Sequence, residues 1–192
     1  RFACSDTCIS VFNNFHYTVY VPTNESIDAL IAAKKLHTWD DVAQLDTAYS
    51  EQKKLAEKYT QQINEFLRYH LQDNALYINA DNTTGNDDVD TDGMSWADYE
   101  TAFIDKASKT FHKLTVITDK SGSSIRIKDK AGNVRRVMTE KSGLFNVMAR
   151  EYTYGSSDKS KATILHNSSS AVIHLIDGQI EIGRAVQQEC RD

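Results

Sequence analysis

The chain has 192 residues, 40% of them hydrophobic and 26% charged, with a formal net charge of −5. That length holds one large domain or two small ones and suffices to bury a core. The acidic balance argues against a nucleic-acid footprint, which needs a basic surplus or stripe. No apolar run reaches the ~20 residues that a membrane span requires.

Residues 1–14 read as a short, atypical lead-in to one domain over 15–183, followed by a polar tail at 184–192. Within the lead-in, Val11, Phe12 and Phe15 make a single apolar helical turn. Cys4, Cys8 and Cys190 are three in number, so at least one thiol is unpaired within the chain. A bridge from Cys190 to Cys4 or Cys8 requires the termini to meet. Three cysteines without nearby histidines do not make a zinc site.

Tyr17–Val21 alternates as a strand, with Tyr17, Val19 and Val21 on one face and Thr18 and Tyr20 on the other. Pro22, the only proline, cannot donate to a ladder and ends it. Thr23 or Asn24 then caps a helix carrying Glu25 and Asp28 in its first turn. Ile27, Leu30, Ile31 and Leu36 continue that helix. Thr38 begins another, with Asp41 at the capping-box position. From about Ser50 to Gln72, Leu55, Tyr59, Ile63, Phe66, Leu67, His70 and Leu71 form an amphipathic stripe. At its end, His70 is read first as a hydrogen-bonded core histidine and second as part of a binding site with Tyr69.

Leu76, Tyr77 and Ile78 suggest a short strand. The stretch Asn79–Gly93 is the most polar in the chain and reads as a long solvated insertion. Within it Asp88, Asp90, Asp92 and Gly93 match the first half of a calcium loop, where alternate aspartates turn carboxylates onto one cation. The second half fails, because Tyr99 stands where a bidentate Glu belongs. A solvated acidic loop is therefore the expectation, and no cofactor is assigned. Trp96, Tyr99 and Phe103 recur at spacings of three and four.

From Phe111 onward the period becomes two. Leu114 and Val116 share a face, Ile125 and Ile127 mark a second strand, and Val134–Met138 a third, with turns at Gly122 and Gly132. This is an antiparallel meander. Lys128, Lys130, Arg135 and Arg136 form a basic edge, read first as a guard against strand-to-strand aggregation and second as a polyanion contact. Gly143–Tyr154 fits a helical turn or a short strand. Thr163–Leu165 suggests a strand, and Ala171–Ile176 is apolar at nearly every position, as in a strand covered on both faces. His174 is expected in the core, with Asp177 accepting backbone hydrogen bonds at the turn before a last short strand at Ile180 and Ile182.

Asn24, Asn82 and Asn167 head glycosylation sequons, three-residue patterns too common to assign a secretory route. There is no G-x-S-x-G elbow, phosphate-binding glycine loop or H-E-x-x-H, so no enzyme is assigned.

Three segments together, TVYVPTNESI (Thr18–Ile27), the pair Tyr69-His70, and AVIHLIDGQI (Ala171–Ile180), resemble the fasciclin domain family. The resemblance runs from about Phe15 to about Ile182. It implies an α+β fold, a β-sandwich wedge with several helices packed on one side. Thr18, Pro22, Thr23, Asn24, His174 and Asp177 then belong to its structural motif. It also implies a non-catalytic adhesion module presented outside the cell, in tandem repeats on a bacterial surface or secreted protein. Its partner would be a protein or a matrix glycan; by expected exposure, the candidate surfaces are those near Tyr69 and His70, the edge at Arg135 and Arg136, and the acidic insertion. The alternative is a carbohydrate- or lipid-binding domain using Trp39, Trp96 and tyrosines, a reading that requires Trp96 not to be buried against the helix of residues 50–72.

Overall fold

The structure is a computed structural model that describes residues 16–78, 94–119, 122–140, 143–149, 152–154, 164–166 and 171–182. The lead-in, all three cysteines, the acidic insertion with Asp88, Asp90 and Asp92, and the tail lie outside them.

Strand β1 (Tyr17–Pro22) runs into α1 (Asn24–Ala32), then α2 (Trp39–Ala43) and α3 (Ser50–Tyr69). Strand β2 (Leu71–Asp73) follows at once, then β3 (Met94–Ile104), β4 (Phe111–Asp119), β5 (Ile125–Lys128) and β6 (Val134–Arg136). The rest are β7 (Val147–Ala149), β8 (Tyr152–Tyr154), β9 (Ile164–His166) and β10 (Ala171–Ile176). The class is α+β, as expected. Eight strands form one mixed sheet in the order β6-β5-β4-β3-β2-β1-β10-β7, and β8 and β9 pair separately. The sheet is nearly barrel-like, because its far ends meet. Val137, just past β6, bridges Ile176 at the end of β10. Met138 N–H donates to Leu175 O at 2.9 Å, and Asp177 N–H to Arg136 O at 3.2 Å.

The β4–β6 meander is as the period-two pattern requires, and β3 extends it by one strand. His112, Leu114, Val116 and Thr118 point inward from β4, and Ile125 and Ile127 from β5. They join Tyr20, Tyr69, Phe103, Val137, Ile176 and Ile180 in the main core. Gly132, at φ +89°, takes the left-handed position of the β5–β6 turn, where a side chain is strained. A second cluster of Leu30, Leu36 and Ile63, flanked by Ile27, Val42, Phe66 and Leu67, ties the helices together.

Several local expectations change. Thr23 holds the N-cap position of α1, but its hydroxyl meets Ser26 Oγ at 3.1 Å instead of a backbone N–H, and Asn24 is already helical. Helix α1 stops at Ala32, and Lys34 turns left-handed at φ 55°, so Leu36 reaches the core from a turn. The capping box at Thr38 and Asp41 is present in full. Helix α3 ends at Tyr69 because His70, at φ −88° and ψ 1°, leaves helical geometry and feeds β2 directly. Residues 76–78 are not a strand. Trp96, Tyr99 and Phe103 lie on a strand despite their spacing: Tyr99 and Phe103 share the inward face, while Trp96 points out with 37% exposure. Ile180 and Ile182 pack on the core without forming a strand. Among the described residues, no helix is long and apolar enough to cross a membrane.

Candidate functional site

The three segments that suggest a family are brought together. β1 lies between β2, which follows Tyr69-His70, and β10. β1 and β10 pair in parallel, with Val19 opposite Ile173 and Tyr20 opposite His174. Pro22 closes the ladder opposite Ile176. The face that β1 turns to the core is the one with Thr18 and Tyr20, 0% and 1% exposed, whereas Val21 is 40% exposed. Polar groups there must therefore find partners inside. The Tyr20 hydroxyl donates to Gln72 Oε1 at 2.6 Å, and burial raises its pKa.

The remaining partners come from residues 74–78, whose backbone is bonded by side chains in place of a strand. Thr18 Oγ1 donates to Asn74 O at 2.7 Å and accepts from Leu76 N–H at 2.9 Å. His174 Nε2–H donates to Leu76 O at 2.8 Å. Asn146 accepts from Ile78 N–H and donates to Ile78 O, both at 2.9 Å, while its own N–H donates to His174 Nδ1 at 3.2 Å. Both His174 nitrogens are thereby used and the ring is neutral; burial lowers its pKa, against the bond to Leu76.

Tyr69 and His70, 0% and 4% exposed, offer no surface to a partner. That corrects the binding role considered for them and agrees with the core reading of the histidine. His70 Nδ1–H donates to Phe66 O at 2.8 Å, and Nε2 accepts from Ile180 N–H at 3.4 Å. Burial pushes its pKa down to about 4, so the imidazole is neutral. The Tyr69 hydroxyl accepts from Lys130 N–H at 3.1 Å, and burial pushes it up to about 12.

Arg135 and Arg136 are bound within the chain, at the seam where the sheet closes. Arg135 Nε donates to Gln179 O at 2.8 Å. Gly178 leaves room for it, since a Cβ there would lie 2.9 Å from the Arg135 guanidinium carbon. Arg136 pairs with Glu140, and its Nε lies 3.5 Å from Asp177 Oδ2. Asp177 Oδ1 accepts the Arg136 N–H at 3.1 Å, so its backbone donor comes from across the seam, not from its own turn. The two arginines clamp the closure and do not guard a free edge.

A pocket of about 320 Å³ opens where the β3–β4 loop meets the β5–β6 turn. His112 lies in its wall, 6% exposed and stacked on Phe103 at 4.5 Å. Its Nε2 is buried without a hydrogen bond; Asp105 Oδ2 is 3.8 Å away, too long for one. Burial, and then the charge of Lys130, lowers the His112 pKa. The three carboxylates around the pocket already hold donors. Asp129 accepts from Asn133 N–H, Asn133 Nδ2 and Glu181 N–H. Asp105 accepts from the Ala107 and Ser108 amides, and Asp98 from the Thr115 hydroxyl. Sequence reading passes over this site because its members lie on β3, β4, β5, the β3–β4 loop and the β5–β6 turn and form no motif. The one signal was His112 at an inward position of β4, on the face it shares with Leu114, Val116 and Thr118.

Among the described residues, no group of three His, Cys, Asp or Glu side chains could hold a metal ion. Compared with protein-family models, curated proteins and solved structures, the chain matches none.

Proposed function

We propose that the chain is a non-catalytic interaction module of the fasciclin type, acting outside the cell by binding a protein or matrix partner through its surface. The observation that carries this reading is the adjacency of β2, β1 and β10, with Val19 opposite Ile173. Segments far apart in the chain, chosen on sequence resemblance alone, lie side by side and share one hydrogen-bond network. In this reading the mixed, nearly closed sheet with α1–α3 is the wedge that the resemblance implies. A role carried by surface fits the internal histidines, since His70 and His174 spend both ring nitrogens on main-chain groups.

Exposure favours a second reading, in which Trp39 and Trp96, 45% and 37% exposed, stack on a sugar. A pull-down of the folded chain against matrix proteins and glycans, with and without calcium, separates the two. Retention by a matrix protein that survives Trp39→Ala and Trp96→Ala supports the module. Glycan retention that either variant abolishes supports the second reading, and retention by neither class overturns both. A requirement for calcium that alanine at Asp88, Asp90 and Asp92 together removes would assign the cation to them.

A further inference from the structure

We propose that the His112 pocket is a binding site for a tetrahedral oxyanion, the phosphate or sulfate group of a small ligand, held by Lys113, Lys128 and Lys130 with His112 in the wall. The argument is one of unspent hydrogen-bonding capacity. The carboxylates at the pocket are satisfied by main-chain and side-chain donors. The three ammonium groups make no ion pair among the described residues, although Lys113 stands opposite Glu100 across β3 and β4. The hydroxyls of Ser108 and Thr110 line the same space but are already paired with each other at 2.6 Å, so the spare donors are the three ammonium groups. The wall therefore has donors to spare, and the ligand that uses them must be an acceptor.

A metal is disfavoured by the same wall: it lacks a three-ligand set and carries three cations. The orphaned His112 Nε2 is an independent sign, because a buried polar atom without a partner costs about 1–3 kcal/mol unless something supplies one. The donors sit on β4, on the end of β5 and in the following turn, with Lys113 and Lys128 diagonal neighbours on one face of the sheet, so three cations are gathered at one mouth. Three cations suit a group with three or four anionic oxygens better than the two of a carboxylate. The pocket far exceeds the ~30 Å³ of one water. Phe111, 45% exposed at its rim, gives the rest of a ligand an apolar face.

Proton linkage follows. With His112 neutral, three lysines and three aspartates balance around the pocket. An added oxyanion joins Asp105, on the β3–β4 loop, and Glu65, on α3, in favouring the charged ring against Lys130. Tyr69 meets the ring edge-on.

The test uses the full chain with ¹⁵N-histidine labelling, following the His112 ring by NMR during titration with inorganic phosphate, sulfate and acetate. Expected is a saturable His112 shift with phosphate or sulfate, weaker with acetate, and a His112 pKa that rises on binding. Lys113→Gln and Lys128→Gln, both at exposed positions that leave the core untouched, should each weaken binding about tenfold, the loss of one charge-assisted hydrogen bond. No shift at any concentration, an equal response in the double lysine variant, or acetate binding as tightly as phosphate would each overturn the assignment. The pocket reading is independent of the adhesion reading, so either can fail alone.

Discussion

The bonds that Asn146 makes to Ile78 provide the sharpest test of how this fold is held. Asn146 does for the Ile78 peptide what a neighbouring strand would do, accepting its N–H and donating to its C=O at 2.9 Å each. Ile78 is 2% exposed, so water cannot readily replace either bond. Each is worth about 1 kcal/mol net, and a buried group left unpaired costs about 1–3 kcal/mol. Asn146→Gly removes both bonds and should destabilise by about 2–4 kcal/mol, a large share of the roughly 5–15 kcal/mol that holds a domain together. Asn146 also sits at φ 53°, where an L side chain other than Asn or Asp is strained. Asn146→Ala should therefore be worse than the glycine variant by about 1 kcal/mol. Urea denaturation followed by far-ultraviolet circular dichroism and tryptophan fluorescence measures both. A glycine variant within about 0.5 kcal/mol of the parent, or an alanine variant more stable than the glycine one, would refute the reasoning.

His174→Leu keeps the volume but strands Leu76 O and the Asn146 N–H, for about 2–5 kcal/mol by the same denaturation assay. Stability should also fall on acidification through His70. Its folded pKa lies below the unfolded value near 6.5, so the unfolded chain binds the proton first; the stabilisation is complete above about 6.5 and is lost as pH falls toward about 4. That window of about 2.5 units corresponds to about 3 kcal/mol, and a His70→Asn variant that kept the full slope of stability against pH would contradict it. Asp177→Ala removes an acceptor that is partly exposed, so a loss of about 1 kcal/mol is expected, seen as a lower urea midpoint with unchanged m.

The sheet was legible wherever one face is buried and alternation is strict: β1, β4 and β5 were read from period two, and β10 from its nearly continuous apolar run. Helix α3 was read from its stripe of three and four. The misreadings have physical causes. In β3 an outward Trp96 and inward Tyr99 and Phe103 happen to be three and four apart, which imitates a helix. Residues 76–78 look like a strand because Leu76 and Ile78 are buried, yet their main chain is bonded to side chains from β1, β10 and residue 146. No local pattern announces a partner that distant. The basic run at Arg135 and Arg136 was read as a free edge because Glu140, Asp177 and Gln179, which occupy it, become neighbours only once the sheet closes. The His112 pocket was invisible for the same reason.

Closure also explains why the most polar part of the core lies where it does. β1 and β10 come from opposite ends of the described chain, so their pairing bears a large loop-closure entropy before any contact rewards it. Apolar packing alone is tolerant of slips, and a one-residue slip would turn Thr18, Tyr20 and His174 to the wrong face. Thr18 and His174 lie on the two paired strands and both bond Leu76, from its N–H and its C=O respectively. Only one register lets both bonds form, so any slip leaves buried polar groups without partners, at a cost comparable to the whole stability of a marginal domain. The polar residues of the two outer segments thus act as a register lock for the parallel pair. Their identity is required by the closure of the sheet.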